Sequence, residues 1–458
     1  MDDILKNIKN VYFVGIGGIG MSALARYFKA NRYRVAGYDR TPSLLTDKMA
    51  REEGIPVNYR DEEMEIAQEF RNKKDTLVVY TPAIPQDSPQ LNFFKKAGFT
   101  LHKRAEVLGL LSRNGKAVCV AGTHGKTTVS TMTAFLLHES AVGCNAFLGG
   151  ISMNFGTNLL INRNSPYIVI EADEFDRSFL HLHPEMAVIT SMDNDHMDIY
   201  ENRENLLEAF NQFASQVRPD GGKLFLKKGL SLEKAKVSGY YGVDTAADCY
   251  SDHLRVIDGH YLFDYHGKAE MQGLILGVPG RVNVENATAA ITLALEAGVT
   301  PEEIRAALPE FRGVVRRFNI HADTGEKMYI DDYAHHPKEI EATLKSVREM
   351  WPHKKLTVVF QPHLYTRTRD FYPEFAKSLS LADRVILLDI YPARELPIPG
   401  VTSEIIREQI TVPAEILSKE ALLEYIGTRF DEGVIMTVGA GDIDRMIPAI
   451  TQKILQQS

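Results

Sequence analysis

The chain has 458 residues, more than one core holds at roughly 100 to 200 residues per domain, so several domains are expected. Hydrophobic residues at 44% and charged residues at 24% are ordinary for a globular protein and exclude a largely disordered chain. A formal net charge of -8 sets the overall field against polyphosphate and excludes general nucleic-acid binding.

The chain opens on MDDILKNIKN, acidic where an export signal is basic, and glycines interrupt the apolar run that follows. A cytoplasmic protein is expected. Residues 11–14 form a β-rich run, 21–29 have helical spacing, and 34–37 and 76–80 are further strand runs; this βαβ pattern predicts a parallel sheet. A second series starts near 116, where AVCVAG leads into GTHGKTT and a helix over 129–138. Strands are expected at 167–170 and 187–190 and a helix over 203–217. From 223 to about 280 short strands with GG, DG and HG turn signals predict a β-rich flank, and a helix over 284–297 follows. The third series has strands at 328–330, 356–360, 384–389 and 434–438, with a helix over 337–350. The expected fold is α/β, with three tandem α/β domains at 1–108, 109–316 and 317–458. The outer two would be Rossmann-like, and the central one a P-loop domain with a parallel sheet and a β-rich flank. No stretch approaches the roughly 18 apolar residues of a membrane helix, so no membrane partner is expected. Cys119, Cys144 and Cys249 are unclustered, which suggests neither a disulfide framework nor a thiolate metal site.

Chemistry concentrates at strand ends. In Gly122-Thr123-His124-Gly125-Lys126-Thr127-Thr128, amide groups at a glycine-rich turn can wrap phosphate oxygens, Lys126 can neutralise them, and a hydroxyl can ligate Mg²⁺. The strict phosphate-loop pattern wants glycine where Val120 stands, yet the strand-turn-helix context favours a nucleoside triphosphate. Two acidic strand ends follow, Glu171-Ala172-Asp173-Glu174 and Asp193-Asn194-Asp195-His196-Met197-Asp198, on the edge of the sheet where Mg²⁺ would meet the phosphates. Gly15-Ile16-Gly17-Gly18-Ile19-Gly20, with Asp39 ending the next strand, fits a nicotinamide dinucleotide or another diphosphate. A triphosphate site in the same chain argues against a dehydrogenase, because hydride transfer needs none. In the third series Asp331, Asp332, Tyr333, His335 and His336 follow one strand, and Arg367 and Arg369 follow another; the arginines suit carboxylate or phosphate.

GIGGIGMS, GTHGKTT, EADEFDRSFLHLHP, DNDHMDIY, FRGVVRRF, DDYAHHPKEI, FQPHLYTRTRDF and GAGDI occur in this order along nearly the whole chain. The set resembles the Mur ligase family, and within it the alanine-adding branch. The resemblance implies ATP-dependent ligation of L-alanine to the carboxylate of UDP-N-acetylmuramate through an acyl phosphate, in peptidoglycan precursor synthesis. It implies that Gly15, Gly17, Gly18, Gly20 and Asp39 hold the UDP moiety and that the 122–128 loop holds ATP, with Lys126 on the β/γ-phosphates. Thr127, Glu171 and His196 would hold Mg²⁺, Asn286 would lie near the adenine, and Arg316 and Asp332 would approach the nucleotide. Tyr333, His335, Arg367 and Arg369 would receive the alanine; His335, His336 or a water would take its proton. Lys223 is the first lysine after DHMD, so no carbamylated lysine is expected in the site. Val282 and Leu364 stand where relatives often carry histidine and arginine.

Overall fold

The computed structural model describes residues 3–81, 84–193, 197–257, 259–393 and 395–456. They form two compact units, one of Met1–His253, Asp264–Leu274 and Asn286–Phe311, the other of Leu254–Phe263, Ile275–Glu285 and Arg312–Ser458.

The first unit begins with a sheet of β1 (Asn10–Val14), β2 (Arg34–Tyr38), β3 (Val57–Asn58), β4 (Thr76–Tyr80) and β5 (Leu101–Lys103), in the order β3-β2-β1-β4-β5. Every neighbouring pair is parallel. β1 is buried throughout because both faces are covered, and the two-residue period of a strand divides its side chains between two cores. Val11 and Phe13 join Leu24 and Phe28 of the helix Ile19–Ala30, while Tyr12 and Val14 join Phe70, Leu91 and Phe94.

The central sheet contains β6 (Lys116–Ala121), β7 (Asn145–Ser152), β8 (Thr157–Leu160), β9 (Tyr167–Ala172), β10 (Met186–Ile189), β11 (Lys223–Lys227) and β12 (Gly239–Val243), in the order β12-β11-β10-β6-β9-β7-β8. The order continues past β12 through β13 (Cys249–Ile257), β14 (His260–His266) and β15 (Met271–Ile275). β6 lies between β9 and β10, parallel to both, and Ala121 pairs with Ala172 and Ile189. The residues after these strands therefore emerge side by side. The helix Lys126–His138 buries Thr128 through Leu137, and within it Thr133 Oγ1 donates to the Val129 carbonyl at 2.8 Å.

The second unit carries β16 (Asn319–Asp323), β17 (Lys327–Asp332), β18 (Leu356–Phe360), β19 (Arg384–Leu387), β20 (Ala414–Ile416) and β21 (Gly433–Val438), in the order β16-β17-β21-β18-β19-β20. Only β16 is antiparallel to its neighbour. Val358, Phe360 and Val434 pack on one face and Val359, Ile386 and Ile435 on the other.

The expected α/β class and its parallel sheets are present. The central helix starts at Lys126 rather than 129, because Gly125 at φ 81 turns the chain straight into it. The β7–β8 hairpin carried no clear strand signal, since Gly149 and Gly150 interrupt β7. Arg367 and Arg369 lie within a helix, Tyr365–Leu379, entered through Leu364 at φ 71. Among the described residues no helix is long and apolar enough to cross a membrane.

Candidate active site

The phosphate-loop residues stand between β6 and the Lys126–His138 helix. Gly122 has φ 133, and a Cβ there would lie 2.2 Å from Thr190 Oγ1, so only glycine passes beneath the end of β10. Ser191 braces the loop: its Oγ lies 2.9 Å from Thr123 Oγ1 and accepts the His124 N–H at 2.8 Å. Thr190 Oγ1 donates to the carbonyls of Ala121, at 3.1 Å, and His124. Sequence reading had not singled out Thr190 or Ser191; Thr190 ends the strand expected at 187–190 and Ser191 follows it, and both could have been found as the partner edge of the loop.

Lys126, the first residue of the helix, reaches Glu174 at 2.7 Å and Asp173 at 3.9 Å. Burial opposes its charge, but the carboxylates of Glu174, Asp173 and Glu171 outweigh it and hold the lysine pKa above its usual value. Lys126 is therefore a cation in the closed loop. Thr127 Oγ1 donates to Glu171 Oε1 at 3.1 Å, and the Gly149 N–H donates to Glu171 Oε2 at 3.0 Å. A hydroxyl and a carboxylate side by side at a helix N-terminus are hard oxygen donors, and they fit Mg²⁺. His196 lies outside the described residues. Asn286 is buried, and its Oδ1 lies 3.1 Å from where a Gly125 Cβ would stand, which places the expected adenine-side residue against the loop.

The first glycine loop is built differently. Gly15 has φ 92, and a Cβ there would lie 2.4 Å from Thr81 Cγ2. The Gly17 N–H donates to Asp39 Oδ2 at 2.6 Å and the Thr41 N–H to Asp39 Oδ1 at 3.0 Å. Asp39 is thus engaged in shaping the loop. A Cβ on Gly18 would meet nothing within 4 Å, so Gly18 is where a ligand can approach the backbone. Gly20 opens onto Arg104, whose Nη1 would lie 2.6 Å from a Gly20 Cβ.

In the second unit, Asp332 and Arg316 are held internally. Asp332 accepts the N–H groups of Phe318 at 2.8 Å and Ala334 at 2.7 Å; burial pushes its pKa up to about 7, against the opposing charge of Arg317. Arg316 pairs with Asp331 at 3.3 Å and donates to the Gly439 carbonyl at 2.6 Å. Tyr333 and His335 stand beyond β17 with ring centroids 5.4 Å apart, and His335 meets His363 at 6.3 Å. His363, missed in the sequence, stacks on Tyr391, and its buried Nδ1 has no hydrogen-bond partner among the described residues. Burial and the nearby Arg367 charge lower its pKa to about 4, so it stays neutral. The word HLYTR held the signal, since a histidine at a strand end precedes the arginine. His336 caps the helix Pro337–Met350 through its Nδ1 and is buried, which leaves His335 as the more accessible imidazole of the pair. Arg369 is engaged by Asp370 at 2.7 Å on an exposed helix face.

Family models match most of the chain. "Mur ligase family, catalytic domain" covers residues 10–116, "Mur ligase middle domain" 120–294, and "Mur ligase, glutamate ligase domain" 316–441. A UDP-N-acetylmuramate--L-alanine ligase of Phocaeicola vulgatus is 50% identical over 97% of this chain and 98% of its own. One of Porphyromonas gingivalis strain W83 is 50% identical over 97% and 99%. The crystal structure of a UDP-N-acetylmuramate-alanine ligase from Thermotoga maritima matches with a TM-score of 0.78 at 27% identity, over 98% of this chain and all of that one.

Proposed function

The chain belongs to the Mur ligase family, and on that premise we propose that it joins L-alanine to the carboxylate of UDP-N-acetylmuramate at the expense of ATP. The observation that carries this reading is convergence: Gly20 of the first glycine loop and Glu171 beside the phosphate loop line one cavity. A sugar nucleotide held at the first loop would thus present its acid to a triphosphate held at the second.

In the proposed arrangement residues 1–108 bind the UDP sugar, 109–316 bind ATP, and 317–458 bind the amino acid. A carboxylate is a poor acyl donor, so the acid's oxygen first takes the γ-phosphoryl group, giving an acyl phosphate and ADP. Lys126 leaves Glu174 for the phosphate oxygens and offsets the charge that develops as the phosphoryl group moves. Thr127 and Glu171 would hold Mg²⁺, which supplies further charge neutralisation on the phosphates. His124 and Asn286 shape the nucleotide end of the loop. Arg367 pairs with the alanine carboxylate, and Tyr333 and His335 flank its amine. His335 takes the ammonium proton, and the free amine attacks the acyl carbon and expels phosphate. Such chemistry suits a cytoplasmic enzyme supplied with nucleotide.

Phosphate release with ATP, Mg²⁺, UDP-N-acetylmuramate and each amino acid in turn tests the reading. Release with L-alanine far above that with other amino acids or with a preformed tripeptide is expected; preference for the tripeptide, or no release at all, overturns it.

A further inference from the structure

We infer that Arg104 is the cationic wall of an oxyanion subsite that takes the lactyl carboxylate of the sugar nucleotide; this rests on the proposed function. Arg104 is the first residue of the helix Arg104–Asn114, a position where the helix dipole disfavours a cation. Its guanidinium crosses the missing Cβ of Gly20, in the first turn of the helix Ile19–Ala30, and that turn contains no acidic residue. Two helix N-termini therefore surround a half-buried cation.

The nearby carboxylates have other partners, although Glu171 and Asp173 also line the cavity in front of Arg104. Glu106 turns back to the Lys103 N–H at 2.7 Å, Glu171 is engaged by Thr127 and Gly149, and Asp173 lies 3.9 Å from Lys126. Arg104 has no hydrogen-bond or ion-pair partner among the described residues. A partly buried guanidinium with no direct partner is costly, and a planar carboxylate is the anion its fork of N–H groups matches best. The cavity before it has a volume of about 60 Å³ and is lined also by Ala23, Leu108 and Gly149. That is room enough for a carboxylate. Glu171 lines the same cavity and accepts from Thr127 of the phosphate loop, so a carboxylate bound there would lie near the triphosphate.

Calorimetry with two probes separates the carboxylate from the diphosphate, because UDP-N-acetylglucosamine lacks the lactyl group and keeps everything else. Arg104→Ala is expected to weaken UDP-N-acetylmuramate at least tenfold and to leave UDP-N-acetylglucosamine within twofold. Arg104→Lys keeps the charge and the stem but not the fork, and gives a smaller selective loss; it carries the test if Arg104→Ala lowers the melting temperature. Equal loss of both probes assigns the guanidinium to the diphosphate and overturns the inference, as does unchanged affinity for UDP-N-acetylmuramate. If the parent protein binds neither UDP sugar, the proposed function itself fails, a result distinct from parent binding that the Arg104 variants leave intact.

Discussion

Residues 15–20 and residues 122–128 are both glycine-rich turns from a buried strand into a helix, in the same unit, and they differ in where their charge sits. The second turn carries its own cation: Lys126 is the first helical residue, and Glu174 holds it at 2.7 Å. The first turn has no charged side chain, and its acid, Asp39, faces inward to the Gly17 N–H. A phosphoryl group in transfer changes charge as it moves, and a side-chain ammonium can offset that change. A diphosphate that stays intact needs only fixed amide dipoles. On the proposed function, the same backbone turn would serve transfer in one place and retention in the other.

Removing the loop's own cation should give the largest effect. Lys126→Ala is expected to lower phosphate release about a thousandfold or more, while affinity for the UDP sugar stays within twofold. Rates within a few-fold of the parent would make the two turns equivalent and break the comparison. At the first turn the backbone itself is the tool, so bulk rather than charge should matter. Gly18 faces open space, and Gly18→Val should weaken the UDP sugar by roughly tens-fold, with ATP affinity and melting temperature unchanged. Gly17→Val is a contrasting control, since its Cβ would stand 2.8 Å from Asp39 Oδ2; it should lower the melting temperature as well. If Gly18→Val weakens ATP and the UDP sugar equally, the separation of the two sites is wrong.

Much of this was legible from residue order because parallel sheets expose chemistry only at their C-terminal edges. GTHGKTT, EADE and GIGGIG follow strands whose apolar runs are unbroken, and the structure sets the first two on neighbouring strands β6 and β9. The inward turn of Asp39 was not legible. The spacing of glycines and acid is the same whether the carboxylate meets a ribose or an amide, and the 2.6 Å contact to the Gly17 N–H is seen only in three dimensions. His363 was hidden for another reason: its significance comes from burial against Tyr391 and Arg367, which no local pattern encodes. The choice between His335 and His336 needed the helix cap at Pro337, which sets one ring in the fold and leaves the other accessible. Arg104 gave no motif at all, since its meaning lies in the absence of a partner.

Exchanging an acid for its amide at each turn sharpens the comparison further. Glu171→Gln keeps the shape beside Thr127 and removes the charge of a proposed metal ligand, so the Mg²⁺ concentration for half-maximal rate should rise by roughly tenfold. An unchanged Mg²⁺ titration would remove Glu171 from the metal site.

The same exchange at the first turn should do least. Asp39 accepts two backbone N–H groups, from Gly17 at 2.6 Å and Thr41 at 3.0 Å, and an amide has one oxygen for the two of them. The Thr41 end is exposed, so in Asp39→Asn water can satisfy that N–H while the amide oxygen stays on Gly17. What is lost is charge assistance to one bond, worth about 1 kcal/mol, and the loop keeps its shape. Affinity for the UDP sugar should then fall only a few-fold, with the Mg²⁺ requirement and ATP affinity unmoved. Asp39→Ala removes both acceptors and should cost more than Asp39→Asn in both affinity and melting temperature. If Asp39 instead bound the ribose through its charge, Asn and Ala would weaken the UDP sugar alike and leave the melting temperature untouched. Calorimetry with UDP on the two variants, paired with thermal melts, decides between an acid that shapes the loop and one that reads the ligand.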